Sequence, residues 1–229
     1  MTETASSEYR GLDGLVAVMA RLRAPGGCPW DGEQTHASLV QYLLEETYEL
    51  IDAIESGERD ELLEELGDVL YQVLFHSDIA AHTPGEDFDV DDVADHMIAK
   101  MIGRHPHVFG ESRAETSEDV MAVWDELKRT EKPHRSSVLD GVPQAMPALA
   151  LGQKLLGKAE KVGVARESSL AGAESAAHSA PASETELGEL LMSLTALARE
   201  QGWDAERAMR EQIRLLQADV RAAEAHRAN

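Results

Sequence analysis

The fold is decided by residues 44–68, which read LEETYELIDAIESGERDELLEELGD. Apolar residues recur at helical spacing on both sides of Gly57, and glycine favours the position just after the last turn of a helix. We expect one helix from about residue 35 to 56 and a second from about residue 60 to 82. Because the connection between them is very short, the two helices should form an antiparallel hairpin.

Each helix of this hairpin carries a ridge of acidic residues, since residues three or four apart share a helix face. The ridges comprise Glu45, Glu46, Glu49 and Asp52 on the first helix and Glu61, Glu64, Glu65 and Asp68 on the second. Like charges side by side destabilise a hairpin unless a cation neutralises them, and Mg²⁺ prefers such hard oxygen ligands. Exposed faces of amphipathic helices are the alternative, and the spacing alone does not choose between the two.

Gly67 and Asp68 are poor helix formers that lie deep inside the second helix. Glycine costs about 1 kcal/mol relative to alanine in a helix interior. We therefore expect the close approach of another backbone or of a ligand at this point.

The rest of the chain also has the apolar spacing of helices. We expect helices at about residues 12–22, 90–102, 118–131, 147–161, 184–200 and 204–225, with irregular structure at 103–117. Pro147 is expected as the first residue of its helix and Asp204 as a helix N-cap. No stretch alternates between apolar and polar residues over several positions, so the sequence predicts an all-α protein.

Composition excludes several classes of partner. The 229 residues include 43 Asp and Glu against 21 Lys and Arg, which gives a net charge of -22. Nucleic-acid polymers and anionic membranes bind basic surfaces, so neither is expected as a partner. The single cysteine, Cys28, excludes an intramolecular disulfide and suits a reducing cytosol. Neither an apolar run long enough for a transmembrane helix nor a secretory signal is visible, and we expect a cytoplasmic protein.

The acidic motifs resemble those of the MazG-type nucleotide pyrophosphohydrolases. Glu45-Glu46-x-x-Glu49 followed by Glu65-x-x-Asp68 matches the pattern of that family, and residues 27–39, 100–109 and 124–128 resemble further stretches of it. The resemblance covers about residues 10–160. It implies an all-α, MazG-like helical bundle whose helical hairpins assemble with a partner subunit, and hence a homodimer.

The resemblance also implies an activity, the Mg²⁺-dependent hydrolysis of nucleoside triphosphates (NTP or dNTP) to the monophosphate and pyrophosphate, which clears the nucleotide pool. Mn²⁺ is an alternative ion, since it also accepts carboxylate oxygens. The implied metal ligands are Glu46, Glu49, Glu65 and Asp68, with Glu45 as the fifth catalytic residue, which orients or deprotonates the attacking water. The implied substrate-binding residues are Tyr42, Glu61, Lys100, Arg104, Trp124 and Lys128.

Simpler interpretations remain open for several of these residues. Lys100 and Arg104, one helical turn apart, fit a phosphate-binding pair but also an ordinary offset to surface acid. Trp30 and Trp124 fit a core as well as a nucleotide site, although an aromatic face can stack on a base. Cys28 is expected to be a buried structural thiol. His105 and His107 flank a proline and are expected in a rigid loop rather than at zinc.

Two other functions fit the same scaffold. One is a nucleotide-sensing regulator that binds without turnover, and the other is a pyrophosphohydrolase specific for one modified nucleotide or alarmone. The base and sugar preference depends on loop geometry that the sequence does not specify.

We expect four segments along the chain: a catalytic helical domain at 10–132, a connector and helix at 133–161, a flexible linker at 162–183 and a degenerate second helical unit at 184–229. The last assignment rests on residues 186–191, which echo residues 65–70. The echo includes Glu186 and Glu189 but lacks an upstream EExxE helix. We therefore expect the second unit to assist packing or dimerisation without a metal site of its own.

Overall fold

The computed structural model describes residues 9–114, 116–131, 137–164 and 181–227. Within these ranges the regular structure is helical throughout, which confirms the prediction of an all-α protein. The helices are α1 (Gly11–Arg23), α2 (Pro29–Glu33), α3 (Val40–Ser56), α4 (Arg59–Ala81), α5 (Val90–Arg104), α6 (Pro106–Phe109), α7 (Ser117–Glu131), α8 (Ala148–Glu160), α9 (Glu184–Glu200) and α10 (Ala205–Arg227). None of these helices combines the length and the apolar character needed to cross a membrane.

The hairpin of α3 and α4 forms as expected around Gly57. This residue has a φ of 78° and donates its N–H to the carbonyl of Ala53 at 3.2 Å, which ends α3 with a left-handed cap. The hydroxyl of Ser56 accepts from the N–H of Glu58 at 3.2 Å and donates to the carboxylate of Glu61 at 3.1 Å. The short turn is therefore closed by both backbone and side-chain hydrogen bonds.

Helix α3 begins at Val40, five residues later than the sequence predicts. The segment before it forms a turn in which Thr35 N–H donates to Ser38 Oγ at 3.0 Å and Ser38 N–H donates to Thr35 Oγ1 at 3.1 Å. Ser and Thr hydroxyls compete with helical hydrogen bonds in this way. The reciprocal pair therefore delays the start of the helix.

Other differences from prediction occur at prolines. The short helices α2 and α6 were not predicted, and α6 interrupts a stretch that was expected to be irregular; each has a proline in its first turn. Pro147 precedes α8 as its N-cap rather than being its first residue. Asp204 is confirmed as a cap, because its carboxylate accepts from the N–H of Arg207 at 2.9 Å.

The backbone divides into two compact units, Met1–Leu127 and Lys128–Asn229. In the first unit a core forms where α1, the start of α3 and the second half of α4 meet. Its buried members are Met19, Leu39, Leu74, Phe75 and Ile79. The buried residues of α4 begin only at Gln72, whereas Leu63 and Leu66, in its first half, are more than half exposed. The hairpin therefore has a packed end and an exposed end.

In the second unit α8 packs against both α9 and α10. Gln153 of α8 donates to the carbonyl of Trp203 at 2.8 Å and accepts from the N–H of Ala205 at 3.2 Å, so one amide binds the turn between α9 and α10. Arg199 of α9 forms an ion pair with Glu160 of α8. Residues 165–180, most of the predicted linker, lie outside the described residues.

A chain of three titratable side chains joins the segment before α3, helix α4 and the loop after it. His36 Nε2 lies 2.8 Å from Glu86 Oε2, and His36 Nδ1 lies 2.6 Å from His76 Nδ1, with the two rings parallel within 1°. A carboxylate only accepts, so neutral His36 donates from Nε2 and accepts from His76 at Nδ1. His76 Nε2 is buried and has no hydrogen-bond partner among the described residues.

This arrangement predicts a loss of stability in mild acid. Burial and, to a lesser extent, the neighbouring His36 lower the pKa of His76 below the 6.5 of an unfolded histidine. Since the unfolded chain then binds the extra proton more readily, stability falls as the pH drops from 6.5 through the lowered pKa. Thermal melts between about pH 8 and pH 5 should show this fall in the wild type and a weaker one in His76→Phe. His96→Gln, at an exposed position on α5, is the control, and an equal slope in all three proteins contradicts the prediction.

Candidate metal and nucleotide site

Three carboxylates converge between α3 and α4. Glu46 and Glu49, three residues apart on α3, face Glu65 of α4, and one carboxylate oxygen from each lies within 4.8 Å of those of the other two. Glu46 and Glu65 are half-buried and Glu49 is exposed. The antiparallel hairpin thus brings the two acidic ridges together, as the sequence predicts.

The electrostatics of this group are unfavourable to three negative charges. The pKa of Glu46 is raised by burial first and then by the charges of Asp68, Glu49, Glu65 and Glu45. The pKa of Glu65 is raised by burial and then by Glu49 and Asp68. Repulsion between neighbouring carboxylates is thus one cause of each raised pKa, and a cation would relieve this repulsion.

The residues fit a hard divalent cation. Glu65 Oε2 is buried and makes no hydrogen bond within the part of the chain that the structure describes. A buried carboxylate oxygen without a partner is costly, and coordination to a metal ion satisfies it. The donor set consists of carboxylate oxygens, which Mg²⁺ and Mn²⁺ prefer, and it contains no nitrogen or sulfur ligand.

Asp68 and Glu45 lie beside this group rather than within it. Asp68 is half-buried, and its charge is the largest charge effect on the pKa of Glu46. The exposed Glu45 has the smallest such effect. Asp68 as fourth ligand and Glu45 as the residue that handles water therefore stay predictions.

The aromatic and acidic substrate candidates have structural partners. Tyr42 packs against the core, with its ring 5.6 Å from that of Trp30 and nearly perpendicular to it. Glu61 lies at the hairpin turn, where Ser56 donates to it. Trp124 of α7 donates from Nε1 to the carbonyl of Arg104 at 2.9 Å.

Two of the basic candidates lie on α5. Lys100 and Arg104, both half-buried, stand one turn apart near the end of α5. Lys100 forms no ion pair with the three carboxylates among the described residues. The side chain of Lys128 lies outside the described part of the structure.

The structure bears on three further single residues. A Cβ at Gly67 would meet no described atom within 4 Å, so no backbone of the described chain approaches this glycine, and the close approach of a ligand stays a prediction. Cys28 is half-buried rather than buried, because the loop between α1 and α2 leaves it partly open to solvent. Trp30 is 48% exposed and covers the edges of Tyr42 and Phe75 instead of entering the core.

Glu186, which the sequence aligns with Glu65, has a capping role. The hydroxyl of Ser183 accepts from the N–H of Glu186 at 3.2 Å, and the carboxylate of Glu186 accepts from the N–H of Ala182 at 2.7 Å. These bonds satisfy backbone donors at the start of α9. Helix capping thereby accounts for Glu186, the first acidic residue of the echo.

Sequence reasoning missed the partly buried network around Arg23. Its Nε donates to Asp78 at 2.7 Å, its Nη1 donates to the carbonyl of Asp31, and its guanidinium lies 5.1 Å from the ring centre of Phe75. Tyr71 donates to Asp31 at 3.4 Å, and burial followed by the charge of Asp31 raises the pKa of Tyr71 to about 12. These residues hold α1, α2 and the packed half of α4 together. Arg23 is the last residue of the amphipathic helix α1, and charged residues at that position are usually exposed. The sequence therefore contains no indication of these contacts.

The sequence of this chain matches a known family of proteins. Residues 34–109 match the model of the MazG nucleotide pyrophosphohydrolase domain. An uncharacterized 26.1 kDa protein from the blaB 3′ region of Streptomyces cacaoi is 44% identical over 210 residues, which cover 92% of this chain and 81% of that protein.

Two further proteins carry related names. A nucleoside triphosphate pyrophosphohydrolase of Mycolicibacterium smegmatis is 51% identical over 155 residues, which are 66% of this chain but 47% of that enzyme, so the chain spans about half its length. The crystal structure of a mazG-related protein from Thermotoga maritima aligns with a TM-score of 0.44 and 27% identity over 52% of this chain and 99% of that one. The domain match and the sequence relatives confirm the resemblance carried by the two acidic motifs: the chain belongs to the MazG family.

Proposed function

We propose that this protein hydrolyses nucleoside triphosphates, NTP or dNTP, to the monophosphate and pyrophosphate with Mg²⁺ as the metal ion. The observation that carries the proposal is the convergence of Glu46, Glu49 and Glu65, with Glu65 Oε2 buried and unpaired among the described residues. The printed name of the Mycolicibacterium smegmatis relative, which is 51% identical over the matching part, supports the same activity.

The acidic residues have separate roles in the proposed reaction. Glu46, Glu49, Glu65 and Asp68 would hold the ion, which would neutralise phosphate charge and activate water for attack. Glu45 accepts a proton from the attacking water. The water oxygen bonds to the α-phosphorus while the bond to the bridging oxygen breaks and pyrophosphate leaves, a reaction that depends on positioning and charge neutralisation.

The remaining candidates bind the substrate. Lys100 provides a point charge and Arg104 a bidentate fork for phosphate oxygens. Trp124 and Tyr42 offer aromatic faces to the base. Glu61, which accepts from Ser56 at the hairpin turn, and Lys128 complete the proposed set.

Hydrolysis in ¹⁸O-labelled water tests the proposal. Attack at the α-phosphorus places the label in the nucleoside monophosphate and leaves pyrophosphate unlabelled, and the reaction stops when EDTA removes the metal. The assay is run across the NTP and dNTP panel, and comparison of kcat/KM identifies the base and sugar preference. Orthophosphate as the sole product, or label in the pyrophosphate, contradicts the proposal.

The two alternatives make different predictions in the same assay. A nucleotide-sensing regulator would bind nucleotides without metal-dependent turnover, and the convergent carboxylates argue against it. An enzyme dedicated to one modified nucleotide or alarmone would turn over the common triphosphates poorly and that compound well. A reducing, cytoplasmic location accords with all three functions, since the nucleotide pool is intracellular and Cys28 has no partner for a disulfide.

We further propose that the chain acts as a homodimer and that residues 10–132 form its catalytic domain. Large apolar side chains are exposed on α3, the first half of α4 and α5, among them Leu44, Ile54, Leu63, Leu66, Ile98 and Ile102. Grouped exposed apolar side chains of this kind mark surfaces where proteins associate. A second copy of the exposed hairpin end would bury these side chains, and residues 184–229 would assist packing or dimerisation.

Ile98→Glu is expected to shift the protein towards the monomer. Ile98 is 54% exposed on α5. The negative charge of the introduced glutamate would therefore disturb an interface between subunits rather than the core of one subunit. Sedimentation velocity over a range of concentrations measures the change. His96→Glu, at an exposed polar position of the same helix, is the matched control. A wild type that sediments as a monomer at all concentrations removes the dimer proposal.

A further inference from the structure

Two side chains close the C-terminal end of α5. The last carbonyls of a helix have no partner within the helix and need one elsewhere. His105 Nδ1 lies 2.6 Å from the carbonyl oxygen of Met101, and Trp124 Nε1 donates to the carbonyl of Arg104 at 2.9 Å. Since a carbonyl oxygen only accepts, Nδ1 of His105 carries the hydrogen. The two bonds bracket the final turn of the helix.

The same two side chains contact each other. The rings of His105 and Trp124 are 5.2 Å apart between centroids and meet at 82°, an edge-to-face arrangement. His105 itself is half-buried. Helix α7 is therefore bound to the end of α5 through one aromatic contact and one hydrogen bond, with His105 between them.

The last turn of α5 carries the two basic residues that are proposed to bind phosphate. Arg104 is the last residue of α5, and Lys100 lies one turn earlier. A guanidinium that binds phosphate bidentately must approach within narrow limits of distance and angle, and the direction of its side chain follows from the backbone that carries it. Fraying of this last turn would move the guanidinium and weaken its grip on phosphate.

We infer that His105 is a positioning residue for substrate binding, because its Nδ1–H holds the last turn of α5 and thereby fixes Arg104. The inference rests on the proposed role of Arg104 in binding phosphate. His105 does not touch the reacting atoms. Its contribution is made equally to the bound substrate and to the transition state, so its loss raises KM and leaves kcat nearly unchanged.

Two substitutions separate the hydrogen bond from the ring. His105→Asn keeps an N–H donor at about the same distance from the backbone and loses the ring. His105→Phe keeps a ring against Trp124 and loses the donor. His107→Phe is the matched control, because the ring of His107 lies 5.5 Å from that of His105 but makes no hydrogen bond to α5 among the described residues.

Steady-state kinetics of the full chain give the test, with the NTP or dNTP that the wild type turns over best and at a temperature where melts show every variant folded. Loss of one hydrogen bond that orders a binding group is worth about a three- to tenfold change. His105→Phe should raise KM by that factor with kcat near that of the wild type. His105→Asn and His107→Phe should both stay near the wild-type KM.

Other outcomes overturn the inference. If KM is unchanged in His105→Phe, or rises equally in His105→Asn or in His107→Phe, then the donor of His105 does not position the site. If the wild type releases no pyrophosphate, the proposed function fails, and the same variants are compared by the Kd for ATP in isothermal titration calorimetry. A Kd raised only in His105→Phe then supports the positioning role, and equal values for all proteins overturn it.

Discussion

Glu49→Gln is expected to lower kcat for pyrophosphate release by about a hundredfold or more, because a bound metal ion supplies several kcal/mol of transition-state stabilisation and each 1.36 kcal/mol is a factor of ten. Glu49 is the exposed member of the three converging carboxylates. Its replacement by an isosteric amide therefore removes a charged ligand without disturbing the packed half of the hairpin. The melting temperature of the metal-free protein should not fall.

Glu189→Gln provides the matched control for this prediction. Glu189 lies in the segment that echoes the acidic motif, on the exposed side of α9 in the second unit. We expect this variant to retain wild-type kcat. Activity that survives in Glu49→Gln would contradict the proposed metal site, and activity lost in Glu189→Gln would place a catalytic role in the second unit.

Glu65→Gln is expected to make the metal-free protein more stable while it abolishes stabilisation by metal. Burial, Glu49 and Asp68 raise the pKa of Glu65 in the folded chain above the model value of 4.5. The charged form of Glu65 therefore opposes folding. This cost is absent below pH 4.5 and develops as the pH rises through the raised pKa. The amide has no charge and avoids it.

Melts in EDTA and in Mg²⁺ measure both halves of the prediction. In EDTA the variant should melt above the wild type at about pH 8, and the difference should shrink towards pH 5. With Mg²⁺ at about a hundred times its Kd the wild type gains about 2.7 kcal/mol, or several degrees in Tm, and the variant gains much less. A variant that melts below the wild type in EDTA at pH 8, or that gains as much from Mg²⁺, contradicts the prediction.

The hairpin was the most predictable part of the molecule, for a physical reason. Helical spacing, a glycine at the turn and a very short connection favour one compact arrangement of the two helices. That arrangement places Glu46 and Glu49 opposite Glu65. The ridges converge because register follows from the turn. Three of the four proposed ligands could therefore be brought together from the sequence.

Contacts between distant side chains could not be predicted in this way. Nothing in a periodic pattern reveals that His36 meets His76, or that Arg23 pairs with Asp78. These pairs depend on how α1 and the segment before α3 pack on α4. The start of α3 differs from the predicted start for a similar reason. The hydroxyls of Thr35 and Ser38 compete with the helix locally, and a spacing pattern does not weigh that competition.

The uneven burial of α4 has a consequence for backbone dynamics. Amides after Gln72 are covered by the core and should exchange with solvent hydrogen only when the first unit unfolds, whereas those of residues 60–70 lie on a surface that should open locally at a much lower free energy. The proposed metal site and the proposed dimer surface both include that same half, and the nucleotide would bind beside the metal. Each binding event should slow exchange there and leave the packed half unchanged, so one helix reports ligand binding at one end and global stability at the other.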